Sequence, residues 1–156
     1  SVLVGQCEIP MEVNHEVFQF AKSNSITTIF NPAPARSLGR EFLEHISWLI
    51  PNENEFELIS GMQPNEENFI KFNKEIPCNL IVTLGEKGAV FVDENETLYF
   101  DAPTVDAVDT TGAGDSFIGT FAYELSESNS PEVCIKKAVE RASQSVTKKG
   151  TQSSYS

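Results

Sequence analysis

The stretch that most restricts the fold is Asp109-Thr110-Thr111-Gly112-Ala113-Gly114-Asp115-Ser116-Phe117. An extended run from Pro103 to Val108 stops there in a glycine-rich turn. Phe117, Ile118, Phe121, Ala122 and Leu125 then recur at helical spacing, which predicts a helix starting near Gly112. Gly112 and Gly114 let the backbone come close to a ligand, and the first amides of the helix then point at it. Unpaired N–H groups and the helix dipole both favour an anion. Asp115 in the same turn would repel that anion, unless its task is to take a proton from a group attacking it. Amides beside a carboxylate base suit phosphoryl transfer to a hydroxyl. A dinucleotide fingerprint would need a third glycine where Phe117 stands, and a P-loop would need a lysine that is absent. The plain alternative is an ordinary strand-to-helix connection with two permissive glycines. The aspartates bracketing the turn, Asp109 and Asp115, weigh against it.

Upstream, Val2 to Gln6 reads as a short buried strand, and Val13, Val17, Phe18 and Ala21 trace a helical stripe after Pro10. Ile26 to Phe30 is a β-branched strand ended by Asn31-Pro32. Leu38 to Ile46 reads as a helix, Trp48 to Ile50 as a third strand, Glu53 to Ile59 as a short helix closed by Gly61, and a further helix starts near Pro64. Leu80 to Leu84 is the continuous apolar run expected of a central parallel strand. Ala89 to Val92 and Thr97 to Phe100, joined by Asp93-Glu94-Asn95, read as an antiparallel pair at the sheet edge. Ser130-Pro131 opens a last helix that runs to about Lys148, with Gly150 as its stop. Alternating strands and helices predict one α/β domain over residues 1–156: a three-layer α/β/α, Rossmann-like arrangement with a mostly parallel sheet and an antiparallel edge. In such sheets ligands lie beyond the carboxyl ends of the strands. Glu8, Asn31, Asn52 with Glu55, Gly85 and Asp109 each follow a predicted strand, so the fold should bring them to one edge.

The 156 residues are 40% apolar and 22% charged, ordinary globular composition for one well-buried core. No apolar run reaches membrane-spanning length, and Ser1-Val2-Leu3-Val4 lacks a signal-peptide layout. The three cysteines, Cys7, Cys78 and Cys134, are odd in number and widely spaced, which argues for a reducing, cytoplasmic setting over a disulfide framework. A net charge of −12 argues against a nucleic-acid partner, and any triphosphate must be held by local amides, a helix end and a cation. His15 and His45 lie in predicted helices with no partner at metal-binding spacing.

Asp109 to Phe117 resembles the signature of the ribokinase family of sugar kinases. That resemblance implies an enzyme with Asp115 as catalytic base, contacting the sugar, and the amides of Gly112, Ala113 and Gly114 as the anion hole for the γ-phosphate. It further implies that Asn52 and Glu55, matching the family's Asn-x-x-Glu, organise Mg²⁺ near the phosphates, Glu55 through water. Read without the resemblance, the same residues are an acidic helix start. Asn31 in Asn-Pro-Ala-Pro-Ala-Arg36 would face the phosphate end. Thr83, Gly85 and Gly88 match the nucleotide-side loop, although a tight turn explains Gly88 equally well. Glu8 stands where the family places a sugar-contacting carboxylate, and adenine would lie near Val139. Asp109, Thr111, Ser145, Lys148, Gly150 and Ser154 would cage K⁺, mostly through main-chain oxygens.

The implied reaction is ATP-dependent phosphorylation of ribose or a similar sugar. Kinases for fructose, adenosine or a keto-deoxy sugar acid remain open, as does a chain that binds nucleotide without chemistry. The resemblance covers only the second half of the family's length. The N-terminal sugar-binding loop and the small β-sheet lid, through which a homodimer is implied, are absent, so the chain alone is expected to be inactive.

Overall fold

A computed structural model of the chain describes residues 1–148. In chain order the elements are β1 (Val2–Gln6), α1 (Met11–Ser23), β2 (Thr27–Asn31), α2 (Arg40–Leu43), β3 (Trp48–Leu49), α3 (Glu53–Ser60), α4 (Glu66–Glu75), β4 (Asn79–Thr83), β5 (Ala89–Asp93), β6 (Glu96–Phe100), α5 (Ala113–Ser126) and α6 (Pro131–Ser145). The strands form one mixed sheet in the order β1-β2-β3-β4-β5-β6, parallel from β1 to β4 with an antiparallel edge. The α/β class and the antiparallel edge are as the sequence predicts. By contact density the chain divides into two compact units, Ser1–Thr83 with Val90–Leu98, and Leu84–Ala89 with the chain from Tyr99 onward.

In the first unit, the consecutive residues Leu80, Ile81 and Val82 of β4 are each fully buried. Successive strand residues face opposite sides, so both faces of β4 are covered. Phe30 of β2 packs edge-on against Phe18 of α1 and Phe42 of α2, at centroid distances of 5.5 and 4.8 Å. Phe56 of α3 meets Phe69 and Phe72 of α4 in the same way. These aromatic contacts give close packing with favourable quadrupole geometry.

Three expectations are corrected. The predicted helix from Leu38 to Ile46 shrinks to the single turn Arg40–Leu43. No strand forms from Pro103 to Val108, because the Val108 and Asp109 amides are held by the Val146 carbonyl at 2.7 and 3.0 Å instead of by a neighbouring strand. The buried line of α1 is Asn14, Phe18 and Ala21, while Val13 and Val17 are exposed. Asn14 is tolerated inside because its Nδ2 donates to the Gln6 carbonyl at 2.8 Å. The two histidines also come together, edge-on at 5.2 Å between ring centroids.

The second unit is built on the antiparallel pair α5 and α6, which bury Phe117, Phe121, Cys134, Ile135 and Ala138. Glu124, buried in this pair, accepts through Oε2 from Lys137 at 2.8 Å and from Asn129 at 2.7 Å, so its charge is paired with Lys137 and further hydrogen-bonded. Ser130 caps α6 and Pro131 occupies its first turn, as expected. Among the described residues no helix is long and apolar enough to cross a membrane.

Candidate functional site

In the first unit the carboxyl ends of β1, β2 and β3 present a chain of polar side chains. Asn52 begins α3 with a reciprocal cap: its Oδ1 accepts the Glu55 amide and the Glu55 carboxylate accepts the Asn52 amide, both at 2.8 Å. Asn52 also bridges to Thr83 at the end of β4. Asn31, the last residue of β2, donates through Nδ2 to the Ile50 carbonyl at 2.9 Å and reaches Glu55 Oε2 at 3.4 Å. Its Oδ1 accepts from Gln6 Nε2 at 3.0 Å. The structure thus joins Asn31, Asn52, Glu55 and Thr83, all singled out in the sequence, and adds Gln6. Glu8 lies exposed, two residues beyond the end of β1.

Glu55 is not the solvated acidic residue of an ordinary helix start, since only 7% of it is exposed. Burial pushes its carboxyl above the usual range, against the lowering effect of the bonds from the Asn52 amide and the Asn31 side chain. Cys7, buried beside it, has its thiol raised by desolvation, lowered by Arg36 and raised by Glu55. Because the folded-state pKa of Glu55 is raised, its stabilising contribution is full below the unfolded carboxylate pKa and is lost as pH rises through the folded value. Glu55→Gln keeps an acceptor for the Asn52 amide and removes the charge. Denaturant midpoints measured from mildly acidic to neutral pH should therefore fall less steeply in this variant than in the parent. An equally steep fall in both would remove Glu55 as the source.

In the second unit, Gly112 caps α5 in the left-handed conformation with φ 79°. Gly114 and Asp115 follow it and are exposed, while Ser116, Phe117 and Ile118 turn inward. A Cβ built at Gly114 would meet nothing within 4 Å, so no protein neighbour requires glycine there. The Ala113 amide reaches the Thr110 carbonyl at 3.3 Å, a long bond for an N–H donor. Asp109 Oδ1 accepts the Thr111 amide at 2.9 Å, which folds the entry of the turn back on itself. The Val146 carbonyl ties Val108 and Asp109 to the end of α6, so Asp109 and Thr111 share one loop cluster with Ser145 and Lys148. Gly150 and Ser154 lie outside the described residues.

Two predicted contacts read differently in three dimensions. Val139 of α6 is buried, 4% exposed. Gly88 has φ 103°, and a Cβ there would stand 1.9 Å from the Phe100 carbonyl oxygen, so close backbone packing already explains this glycine. Gly85, with φ 60° and open space around it, begins the short 3-10 turn Gly85–Lys87.

Ser116 was not singled out as a site residue. Its Oγ is buried and has no hydrogen-bond partner among the described residues. An unpaired buried hydroxyl costs about 1–3 kcal/mol. Ser116→Ala should therefore leave the melting temperature unchanged or raise it, whereas a clear drop would reveal a partner for the hydroxyl.

The arrangement can do a limited set of things. Among the described residues no group of three or more His, Cys, Asp or Glu side chains is placed to hold a metal. An exposed carboxylate beside a glycine-built helix start can accept a proton next to a bound anion. The profile of the "pfkB family carbohydrate kinase" matches residues 2–156. The chain belongs to this family. This pfkB-family chain is 40% identical to a deoxyribokinase of Salmonella typhi over 161 residues, covering 99% of the chain and 52% of that protein. It is 38% identical to a ribokinase of Staphylococcus aureus over 131 residues, 81% of the chain and 43% of the relative. Among solved structures it resembles Thermotoga maritima ribokinase at 39% identity and TM-score 0.87, covering 99% of this chain and 52% of that one. Arabidopsis thaliana ribokinase, complexed with ribose and ATP, matches at 30% identity and TM-score 0.90, over 98% and 52%. The pfkB-family chain thus spans about half the length of the relatives it matches.

Proposed function

We propose that the chain is the nucleotide-binding part of an ATP-dependent sugar kinase that phosphorylates the 5-hydroxyl of ribose. The observation that carries this is the exposed Asp115 directly after the exposed Gly114 at the start of α5. Asp115 takes the proton of the acceptor hydroxyl as its oxygen bonds to the γ-phosphorus. The bond from that phosphorus to the bridging oxygen breaks, and ADP leaves. The amides of Gly112, Ala113 and Gly114, at the positive end of the α5 dipole, stabilise charge on the transferring group. Such donors are typically worth about 3–4 kcal/mol each. Phe117 and Phe121 anchor α5 in the core and so hold the turn in register.

Asn52 and Glu55 fit a role toward Mg²⁺ through water. Glu55 is a single carboxylate whose Oε2 already accepts the Asn52 amide, and magnesium keeps several of its waters. When bound, Mg²⁺ offsets phosphate charge. The Asp109 and Thr111 region, tied to the end of α6, is the proposed K⁺ cage with Ser145 and Lys148. Thr83 and Gly85 are proposed to line the nucleotide side, Asn31 to face the phosphates and Glu8 to accept hydrogen bonds from sugar hydroxyls. Arabidopsis ribokinase bound to ribose and ATP supports the choice of co-substrate and acceptor.

The identity to deoxyribokinase, 40% over nearly the whole chain, favours deoxyribose as the second reading. ADP release measured with ribose and deoxyribose, on a form that includes the rest of the family's length, separates the two. Calorimetry of the 156-residue chain with ATP tests nucleotide binding alone. Release of ADP with neither pentose would overturn the acceptor assignment, and absence of ATP binding would overturn the nucleotide assignment.

A further inference from the structure

Gln6 and Asn31 are register partners at the ends of β1 and β2, so their side chains leave the sheet on the same face. The Gln6 backbone is held by α1, because its carbonyl accepts from Asn14 Nδ2 at 2.8 Å. Its side chain donates through Nε2 to Asn31 Oδ1 at 3.0 Å. The Ile50 carbonyl can only accept, so the atom of Asn31 that meets it at 2.9 Å must be Nδ2. That bond sets the polarity of the whole chain: Oδ1 faces Gln6, and Nδ2 faces Glu55 Oε2 at 3.4 Å. A flipped Asn31 amide would have the same shape but would set its oxygen against the Ile50 carbonyl and the Glu55 carboxylate.

Glu55 depends on this chain for its orientation, because the last torsion of a carboxylate side chain is broad. The Asn52 amide and Asn31 Nδ2 both bond to Oε2, while Oε1 accepts no hydrogen bond among the described residues. A single donor would let the carboxylate turn. A second donor, arriving from β2, fixes which oxygen the protein holds and which it leaves. The Asn31 bond is long, and on its own it is weak. It persists only if Asn31 does not swing about its bond to Ile50, and Gln6, gripping the opposite atom of the same amide, prevents that swing. Gln6, Asn31 and Asn52 are all neutral donors, so the carboxylate is oriented without its charge being cancelled. That suits a group kept for a cation.

We propose that Gln6 is a positioning residue for the metal-side carboxylate: by clamping Asn31 it keeps Glu55 Oε2 on the protein and leaves Oε1 to the water shell of Mg²⁺. The proposal rests on the role of Asn52 and Glu55 toward Mg²⁺ and adds to it a residue of β1 that acts through Asn31. It does not depend on which sugar is phosphorylated or on Asp115.

The test uses the 156-residue chain and two neutral variants without the donor, Gln6→Met and Gln6→Leu. Both should speed hydrogen exchange of the Asn31 side-chain amide, followed by nuclear magnetic resonance, by at least about tenfold. Exchange at the Asn52 amide, bonded to the same Oε2, should quicken in Gln6→Met and in Asn31→Ala, and no further in the double variant. In calorimetry, ATP binding with Mg²⁺ should weaken by about two- to tenfold, the loss of one hydrogen bond, while binding in EDTA is unchanged. A merely structural role would lower both affinities together. The proposal is overturned by unchanged Asn31 exchange, by equal losses with and without Mg²⁺, or by a Gln6→Met effect on Asn52 that survives Asn31→Ala. Those outcomes leave the metal role of Asn52 and Glu55 standing. A parent chain that binds ATP no better with Mg²⁺ than in EDTA overturns that role, and the assignment of Gln6 with it.

Discussion

Asp115→Asn is expected to lower the rate of phosphoryl transfer by about 10²–10⁴-fold, the usual contribution of a positioned general base. The measurement belongs in a catalytically competent form that carries the rest of the family's length. Asparagine has nearly the shape of aspartate and cannot accept the acceptor's proton. Asp115 is exposed at the first turn of α5, so the near-isosteric substitution opens no buried cavity. Affinity for ATP should therefore persist or increase slightly, since a negative charge beside the bound phosphates is removed. A variant that turns over at near-normal rate would show that the proton leaves by another route. A variant that also loses ATP would show that Asp115 holds the turn together.

Gly88→Ala should cost more than about 3 kcal/mol of stability, an exceptional effect for adding one methyl group. The new Cβ would stand 1.9 Å from the Phe100 carbonyl oxygen and 2.8 Å from the Ala102 amide nitrogen, both backbone atoms that cannot rotate aside. The φ of 103° adds strain for any residue with a Cβ. Gly85→Ala is the informative companion. Its φ of 60° carries the left-handed strain without a clash, so it should cost only about 1 kcal/mol. Equal losses at both positions in denaturant titrations would mean that the connection near Phe100 yields.

The strand pattern was legible because β2, β4 and β5 carry runs of apolar and β-branched residues that periodicity resolves easily. The glycine turn was legible because it needs an uncommon composition. What the pattern hid was choice among competing faces. In α1, Val13, Val17 and Phe20 form as good a stripe as Phe18 and Ala21, and only tertiary packing sets Asn14 inward. Gln6 and Ser116 escaped notice because one polar side chain in an apolar stretch has no periodic signature. Gly88 shows the reverse ambiguity, since a permissive turn and a forbidden Cβ leave the same letter. The Asn52–Glu55 pair carried both readings at once, and the structure shows the helix-capping role directly.

Because one carbonyl, Val146, holds two successive amides just ahead of the glycine turn, the approach to that turn is braced before any ligand arrives. Much of the ordering entropy that a loose phosphate-binding loop would surrender on association is here surrendered during folding. If the turn holds phosphate as proposed, loosening the brace, for instance by fraying the last turn of α6, should weaken that binding without altering the proposed contacts themselves.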